Sequence, residues 1–118
     1  LRRLCGDGRA VLLIPHALRA AEQVADDVAV MYAGRIVEIA PAAEFFRGPR
    51  HPYAAGLLDA LPTRAFTPIP GRPPELTRLP GGCAFRPRCA RADDACAEPP
   101  RMTPDAPVAC HHPLERHA

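Results

Sequence analysis

Lysine, asparagine, serine and tryptophan are absent from the chain, and its basic residues are therefore all arginines. Without lysine the sequence cannot contain a G-x-x-x-x-G-K-[ST] phosphate loop. The net charge of +2 is too small to favour nucleic acid or an anionic membrane surface as a partner. No apolar run approaches the ~20 residues of a membrane span, and nothing near the first residue resembles a signal peptide. We therefore expect a cytoplasmic protein with no nucleic-acid partner.

Proline is abundant but unevenly distributed. Of the 16 prolines, only Pro15, Pro41 and Pro49 precede residue 50. We predict an α/β region at 1–62, a Pro-rich and extended connector at 63–80, and a loop-dominated, four-cysteine extension at 81–118. Because the first residue is leucine rather than methionine, we also expect the N-terminal part of the protein to lie elsewhere.

The first region alternates short apolar runs with helical patterns. Residues 10–14 are wholly apolar, as in a strand covered on both faces of a parallel sheet, and Pro15 ends the run. Residues 17–25 predict an amphipathic helix. Residues 28–32 and 35–39 predict a β-hairpin across Ala33-Gly34. Short helices are predicted at 41–47, beginning with Pro41, and at 53–61.

Four of the five cysteines lie in the last region. Cys83, Cys89, Cys96 and Cys110 have the spacing C-x5-C-x6-C-x13-C, whereas Cys5 stands apart and is expected to be an ordinary thiol. Disulfides are disfavoured in a reducing cytosol. Structural zinc usually has closer cysteine pairs than these, and a four-cysteine iron–sulfur cluster tolerates varied spacing. A metal or cluster is favoured over free thiols, with zinc and iron–sulfur both left open.

The run LLIPHALRAAEQVADDVAVMYAGRIVE resembles the segment of ABC-transporter nucleotide-binding domains that begins at the switch histidine. The resemblance implies the C-terminal part of a P-loop NTPase fold. It also implies that His16 is the switch histidine, which contacts the nucleotide γ-phosphate and helps to arrange the attacking water. Pro15 and Ala17 depart from the threonine and aspartate that are usual there. With the phosphate loop, signature and Walker B sequences all absent, this chain alone is expected not to hydrolyse ATP.

The run GPRHPYAAGLLDALP resembles a stretch that distinguishes the ATPases of oligopeptide and dipeptide importers. IPGRPP and LPGGCAFRPRC continue the likeness into the cysteine region. The resemblance implies that ATP binding and hydrolysis, with Mg²⁺, are coupled to peptide uptake. It implies a second ATPase subunit and two permeases as partners, a binding protein that supplies peptide, and a peripheral position at the inner face of the membrane.

The same resemblance implies that Cys83, Cys89, Cys96 and Cys110 hold a [4Fe–4S] cluster with a structural or regulatory role. His111 and His112 could also act as ligands but are expected to face solvent. Two other interpretations of the whole chain remain open. One is a free-standing module that binds an iron–sulfur cluster or zinc, and the other is a truncated gene product without function.

Overall fold

The computed structural model describes residues 6–115, which form a small α/β structure. Its elements follow one another closely along the first half of the described chain. They are helix α1 (Leu18–Val24), strands β1 (Asp27–Tyr32) and β2 (Arg35–Pro41), and helices α2 (Ala42–Arg47) and α3 (Pro52–Asp59). Beyond α3 the described chain has turns, extended segments and two short 3-10 helices, Arg86–Arg88 and Asp94–Ala97.

The hairpin prediction is confirmed. β1 and β2 pair in antiparallel fashion, and the connecting residues Ala33 and Gly34 have positive φ angles of 51° and 79°. Two consecutive left-handed residues are what a tight two-residue connection requires, because they match the twist of the paired strands. Val30 pairs with Glu38 but Met31 pairs with Ile36. β2 therefore carries one extra residue at Val37, a β-bulge.

The helices predicted at 17–25, 41–47 and 53–61 are also confirmed, with ends that differ by a few residues. α1 starts after Ala17, whose side chain makes no capping hydrogen bond, as expected for an alanine in place of the usual aspartate. α3 starts at Pro52, where the missing N–H of proline costs nothing. Its N-terminus is capped by the His51 side chain.

One hydrophobic core joins the hairpin to all three helices. Phe45 and Leu58 are its largest fully buried members, and small alanines let the helices approach the sheet closely. Phe45 and Phe46 meet edge to face with ring centroids 5.1 Å apart, a favoured aromatic geometry. The buried members are Ala21, Val30, Ala40, Ala42, Phe45, Phe46, Ala54 and Leu58.

The prediction of a buried strand at 10–14 is wrong for this structure. These residues form no strand, and Leu12 and Ile14 are 89% and 84% exposed. A parallel strand acquires its hydrogen bonds and its cover only from neighbouring strands and helices. Within residues 6–115 the sheet has two strands, neither of which pairs with this run.

Residues 63–80, the segment predicted to be a Pro-rich connector, contain no helix or strand. They nonetheless contact the folded part of the chain. The Thr67 backbone N–H donates to the Asp59 carbonyl at 2.8 Å, and the Arg64 guanidinium donates to the Phe46 carbonyl at 2.8 Å. Among the described residues, no helix has the length and apolar character needed to cross a membrane.

Candidate metal centre

A short segment near the end of the chain adds to the edge of the hairpin. Val108 forms an isolated antiparallel bridge with Glu38. The Ile39 N–H donates to the Pro107 carbonyl at 2.9 Å, and the Ala109 N–H donates to the Val37 carbonyl at 2.8 Å. The pairing holds Cys110 beside the hairpin. Sequence reasoning missed this pairing because so short a segment carries no strand signal.

A tight loop brings two of the cysteines together. Gly82 has a φ of +74°, and a Cβ atom at this position would lie 2.4 Å from the Cys96 carbonyl oxygen. Only glycine allows so close an approach without a shift of the backbone. The next residue, Cys83, donates its N–H to the same carbonyl at 3.0 Å.

Two short 3-10 helices position Cys89 and Cys96. The helix Arg86–Arg88 lies between Phe85 and Cys89, and the Cys89 N–H donates to the Arg86 carbonyl. The helix Asp94–Ala97 contains Cys96 and is capped by the Asp93 carboxylate, which accepts from the Ala95 N–H at 3.0 Å. The four predicted cysteine ligands thus come from one loop and from the paired tail.

The four thiols line one small cavity. The other residues lining it are His51, Pro52, Phe85, Arg91, His111 and His112. His16 is exposed, precedes α1 and is not part of this cavity. Cys5 lies outside the described residues. The structure therefore keeps the two sets of predicted site residues, His16 and the four cysteines, apart.

The surroundings of Cys83 and Cys110 disfavour thiolates that have no cation to balance them. Burial, followed by repulsion from the other cysteines, raises the pKa of the Cys110 thiol. Burial also raises the pKa of Cys83, and Cys96 and Cys89 add to it. Backbone N–H groups act in the opposite direction, including those of Phe85 and Arg86 on Cys83 and that of His112, which donates to Cys110 Sγ at 3.3 Å. A bound cation would supply the missing stabilisation of the charged form.

Three donor groups approach one another more closely than the four thiols do. Among the described residues, the donor atoms of Asp93, Cys96 and His112 all lie within 4.8 Å of one another, and the four sulfurs do not form such a group. His112 Nε2 is 2.7 Å from Asp93 Oδ2. The pKa of the Asp93 carboxyl lies below its usual value, chiefly because of the neighbouring His112 side chain.

A buried carboxylate ties β2 to the start of α3 beside this cavity. Glu38 and His51 are 0% and 1% exposed. The Glu38 carboxylate accepts from the Arg50 N–H at 2.9 and 3.1 Å and from the His51 N–H at 2.9 Å. His51 Nδ1 accepts from the Tyr53 N–H at 3.0 Å. Each buried polar group is thereby given a backbone partner, as such groups require.

His51 is neutral at physiological pH in this setting. Burial lowers the pKa of the imidazole from 6.5 to about 4, against a smaller opposing effect of a hydrogen bond to the Ala109 backbone. Ala109 directly precedes Cys110. The neutral ring therefore joins the N-terminus of α3 to the tail that carries the fourth thiol.

An aromatic cluster attaches the cysteine loop to the hairpin and to α3. Phe85 lies 5.2 Å from the Tyr32 ring and 5.4 Å from the Tyr53 ring, and the two tyrosine rings are 4.5 Å apart. Arg88 donates to the Tyr32 hydroxyl at 3.3 Å and to the Pro70 carbonyl at 2.9 Å. The cysteine loop is thus fastened both to the core and to the connector.

Comparison with known proteins gives the family. A family model described as "oligopeptide/dipeptide transporter, C-terminal region" matches residues 37–96, from the bulge in β2 to the third clustered cysteine. The match spans half of the chain, including the His51-Pro52-Tyr53 capping turn and the Gly82 loop. The chain belongs to this family.

Individual relatives match a longer part of the chain than the family model does. The oligopeptide transport ATP-binding protein OppD of Escherichia coli K12 is 42% identical over 90% of this chain and 34% of its own length. OppD of Salmonella typhimurium is 41% identical over the same shares. An ATP-binding protein of Brucella melitensis biotype 1 that is named for peptide import is 44% identical over 89% of this chain and 34% of its own length. The chain spans about a third of these relatives.

Proposed function

We propose that this chain is the C-terminal part of the ATP-binding subunit of an oligopeptide or dipeptide ABC importer. The observation that carries the proposal is 42% identity to E. coli OppD over 90% of the chain. The end of β2 and its junction with α3, built around Glu38 and His51, are consistent with it because this region falls within the family match. In this proposal residues 1–62 complete a P-loop NTPase domain, 63–80 connect it to the extension, and 81–118 form the cysteine extension.

The proposal assigns catalysis to the whole subunit rather than to this chain. ATP with Mg²⁺ would bind to motifs that this sequence does not contain, since it has no lysine for a phosphate loop. His16 is exposed just before α1 and is available to face a nucleotide held by such motifs. The partners would be a second ATPase subunit and two permeases, which supply the contact with the membrane at its cytoplasmic face. The isolated chain would not hydrolyse ATP.

A chimera tests the assignment. The matching C-terminal third of E. coli OppD would be replaced by this chain, and oligopeptide uptake would be measured in a strain that lacks OppD. We expect uptake to be restored, because the hairpin, the capping turn and the cysteine loop are kept together. A His16→Ala version of the same chimera is expected to assemble normally but to lose ATP-driven uptake.

Two results would contradict the proposal. A chimera that is made in normal amounts and copurifies with the permeases but moves no peptide would overturn the transport assignment. A His16→Ala chimera with unchanged ATPase activity would overturn the role of His16 alone.

We further propose that Cys83, Cys89, Cys96 and Cys110 hold a [4Fe–4S] cluster. A single zinc ion bound by four thiolates would need sulfurs about 3.8 Å apart. The four thiols line one cavity but do not form a closely spaced donor group among the described residues, which suits a cluster, in which each thiolate binds a different iron. When bound, the cluster would supply metal–thiolate bonds that cross-link the loop to the tail.

Iron and acid-labile sulfide would be measured in protein purified without oxygen, together with its visible absorbance. We expect about four irons per chain and loss of both iron and sulfide in the Cys83→Ala and Cys89→Ala variants. A folded protein without iron would contradict the cluster. If the folded protein lacks iron but the chimera restores peptide uptake, the cluster proposal fails and the transport assignment stands.

A free-standing metal-binding module remains a second candidate. It is favoured by the fact that all four thiols converge within one chain, on a cavity that requires no other protein. This alternative predicts that metal binding persists in the chain while every chimera is inactive.

A further inference from the structure

The connector contacts α3 at one short stretch, Ile69-Pro70-Gly71, which we call the IPG segment. Ile69 is half-buried, although the residues on both sides of it are exposed. A Cβ atom at Gly56, in the middle of α3, would lie 2.9 Å from Ile69 Cγ1. Because glycine has no side chain, the Ile69 side chain can lie directly against the helix backbone. Gly56 thus provides a position on α3 where the connector packs.

The cysteine loop holds the same IPG segment through the Arg88 side chain. Arg88 Nε donates to the Pro70 carbonyl at 2.9 Å, and Arg88 Cγ would lie 3.1 Å from a Cβ atom at Gly71. Gly71 has a φ of +78°, in the left-handed region that favours glycine. The same guanidinium donates through Nη1 to the Tyr32 hydroxyl at 3.3 Å. One side chain of the cysteine loop therefore contacts both the connector and the hairpin.

Arg88 directly precedes Cys89, one of the four proposed ligands. The Arg88 N–H donates to the Phe85 carbonyl at 2.9 Å and the Cys89 N–H donates to the Arg86 carbonyl at 3.3 Å, so one turn of 3-10 helix positions both residues. Arg91 lines the cysteine cavity, whereas Arg88 is not among the lining residues. The Arg88 guanidinium therefore contacts the connector rather than the thiols.

We propose that Arg88 couples the occupancy of the cysteine centre to the position of the connector. The inference rests on the proposal that the four thiols hold a cluster, but not on the importer assignment. A bond from the Cys89 thiolate fixes the 3-10 helix, and this keeps the Arg88 donors where Pro70 and Tyr32 accept from them. Without that bond Arg88 is held less firmly, and the IPG segment leaves α3 more often. The cysteine extension is thereby a metal-sensitive restraint on the connector.

The rate of chymotrypsin cleavage after Phe66 measures how often the connector leaves the core. Phe66 is 68% exposed, and the next residue, Thr67, is held by its hydrogen bond to the Asp59 carbonyl. Cleavage is followed in the full chain purified without oxygen and in the same chain after a chelator has removed its iron, and fragment masses identify the bond that is cut. We expect the iron-loaded chain to be cleaved at least about fivefold more slowly, which is the lower end of the usual coupling between two sites.

Arg88→Ala removes the proposed connection while all four thiols remain. The iron-loaded and metal-free forms of this variant should be cleaved at nearly the same rate. Its iron-loaded form should be cleaved at least about tenfold faster than the iron-loaded parent, because hydrogen bonds from a charged donor are lost. Arg88→Lys keeps the charge but not the planar group that reaches two acceptors, and it should retain part of the difference between the two forms.

Arg86→Ala is the matched control in the same 3-10 helix, because the Arg86 carbonyl rather than its side chain takes part in the helix. It should keep the cleavage rates of the parent in both forms. Gly71→Ala tests the contact from the connector, since its methyl group would displace Arg88 while every residue of the cysteine loop stays unchanged. Like Arg88→Ala, it should bring the two rates together. Iron, sulfide and circular dichroism are measured for each variant, and Gly71→Ala decides if Arg88→Ala fails to fold or to hold iron.

Three results would overturn the coupling. They are equal cleavage of the iron-loaded and metal-free parent, an Arg88→Ala variant that keeps the difference of the parent, and an Arg86→Ala variant that loses it as fully as Arg88→Ala does. Failure of the cluster proposal is distinguishable, because it appears as a folded parent without iron, and the coupling then falls with it. An iron-loaded parent whose connector is cleaved as fast as that of the metal-free chain overturns the coupling alone.

Discussion

Gly82 shows how a single residue determines the geometry of the candidate metal centre. Its positive φ and the absence of a side chain let the chain pass within van der Waals distance of the Cys96 carbonyl, which also accepts from the Cys83 N–H. Two of the four thiols owe their proximity to this contact. The LPGGC motif contains two glycines, and only the backbone conformation distinguishes their roles.

We predict that Gly82→Ala lowers the free energy of unfolding by about 1–3 kcal/mol, because the new methyl group would overlap the backbone of Cys96 and Ala97. It should also reduce metal content. Gly81→Ala is the matched control, since a Cβ there meets no atom within 4 Å, and it should stay within about 0.5 kcal/mol. Urea denaturation of both variants checks this, and equal effects would argue against the close approach.

His51 predicts a dependence of stability on pH. Its pKa is lower in the folded chain, about 4, than the ordinary 6.5, so the unfolded chain binds the proton more readily between these values. Stability is therefore complete above pH 6.5 and is lost as the pH falls toward 4, by up to about 3 kcal/mol. His51→Asn offers an amide oxygen in place of the capping Nδ1 atom and cannot titrate in this range.

The measurement is the free energy of unfolding of the metal-free chain at pH 7 and pH 4.5, for the unchanged protein and for His51→Asn. The unchanged protein should lose more stability between the two values. Carboxylates titrate in both proteins, so the difference between the two losses of stability reports the titration of the His51 imidazole. Equal losses would mean that protonated His51 is tolerated in the fold.

Between elements, Glu38 is the main polar connection. Its carboxylate accepts backbone N–H groups from the turn that starts α3, and Val108 pairs with the same residue from the other side. Glu38 lies on the same buried face of β2 as Ala40, and a buried glutamate is not what residue type alone would predict. Its partners are twelve or more residues away, which explains why sequence reasoning did not single it out.

Replacing Glu38 by glutamine should lower the free energy of unfolding by about 2–3 kcal/mol, because the amide group would face donors that now meet a carboxylate. Glu75→Gln, in the exposed connector, is the comparison and should be close to neutral. Chemical denaturation at pH 7 provides both values. A glutamine variant as stable as the parent would show that the backbone donors find other partners.

The aromatic contact between the cysteine loop and the core gives a further prediction at this scale. Phe85→Ala should cost about 3–5 kcal/mol, because Phe85 is buried against Tyr32 and Tyr53. Phe66→Ala serves as control, since Phe66 is 68% exposed, and it should cost less than about 0.5 kcal/mol. Thermal unfolding of the two variants measures both losses of stability. If Phe85→Ala proves as mild as Phe66→Ala, the loop is not fastened to the core in this way.

For the whole molecule, the apolar run at 11–14 is the part that the described fold leaves uncovered. Its side chains are exposed, from 40% for Leu13 to 89% for Leu12. The radius of gyration is 15.0 Å, against about 13.5 Å for a compact chain of this length. Both observations agree with an apolar run that further structure would cover, as the importer proposal requires.

We predict that the double variant Leu12→Glu, Ile14→Glu leaves the thermal stability of this chain unchanged but reduces its self-association. The reason is that both side chains are exposed, and contiguous exposed apolar residues favour association. Light scattering over a range of concentrations, with the melting temperature measured alongside, gives the result. A large loss of stability would show instead that the run packs against the described core.

Periodicity and turn chemistry by themselves determined the hairpin, the three helices and the turn at Ala33-Gly34, because these features rest on contacts between near neighbours in the chain. The motif that contains His51, together with the cysteine block, was enough to identify the family. Only the tertiary structure decided that Glu38 caps the turn before α3, that the tail pairs with the bulged edge of β2, and that His112 joins Asp93 and Cys96. Those contacts join residues 12 or more positions apart, where local pattern carries no information. The strand predicted at 10–14 failed for the same reason, since a parallel strand depends on neighbours that a local run cannot supply.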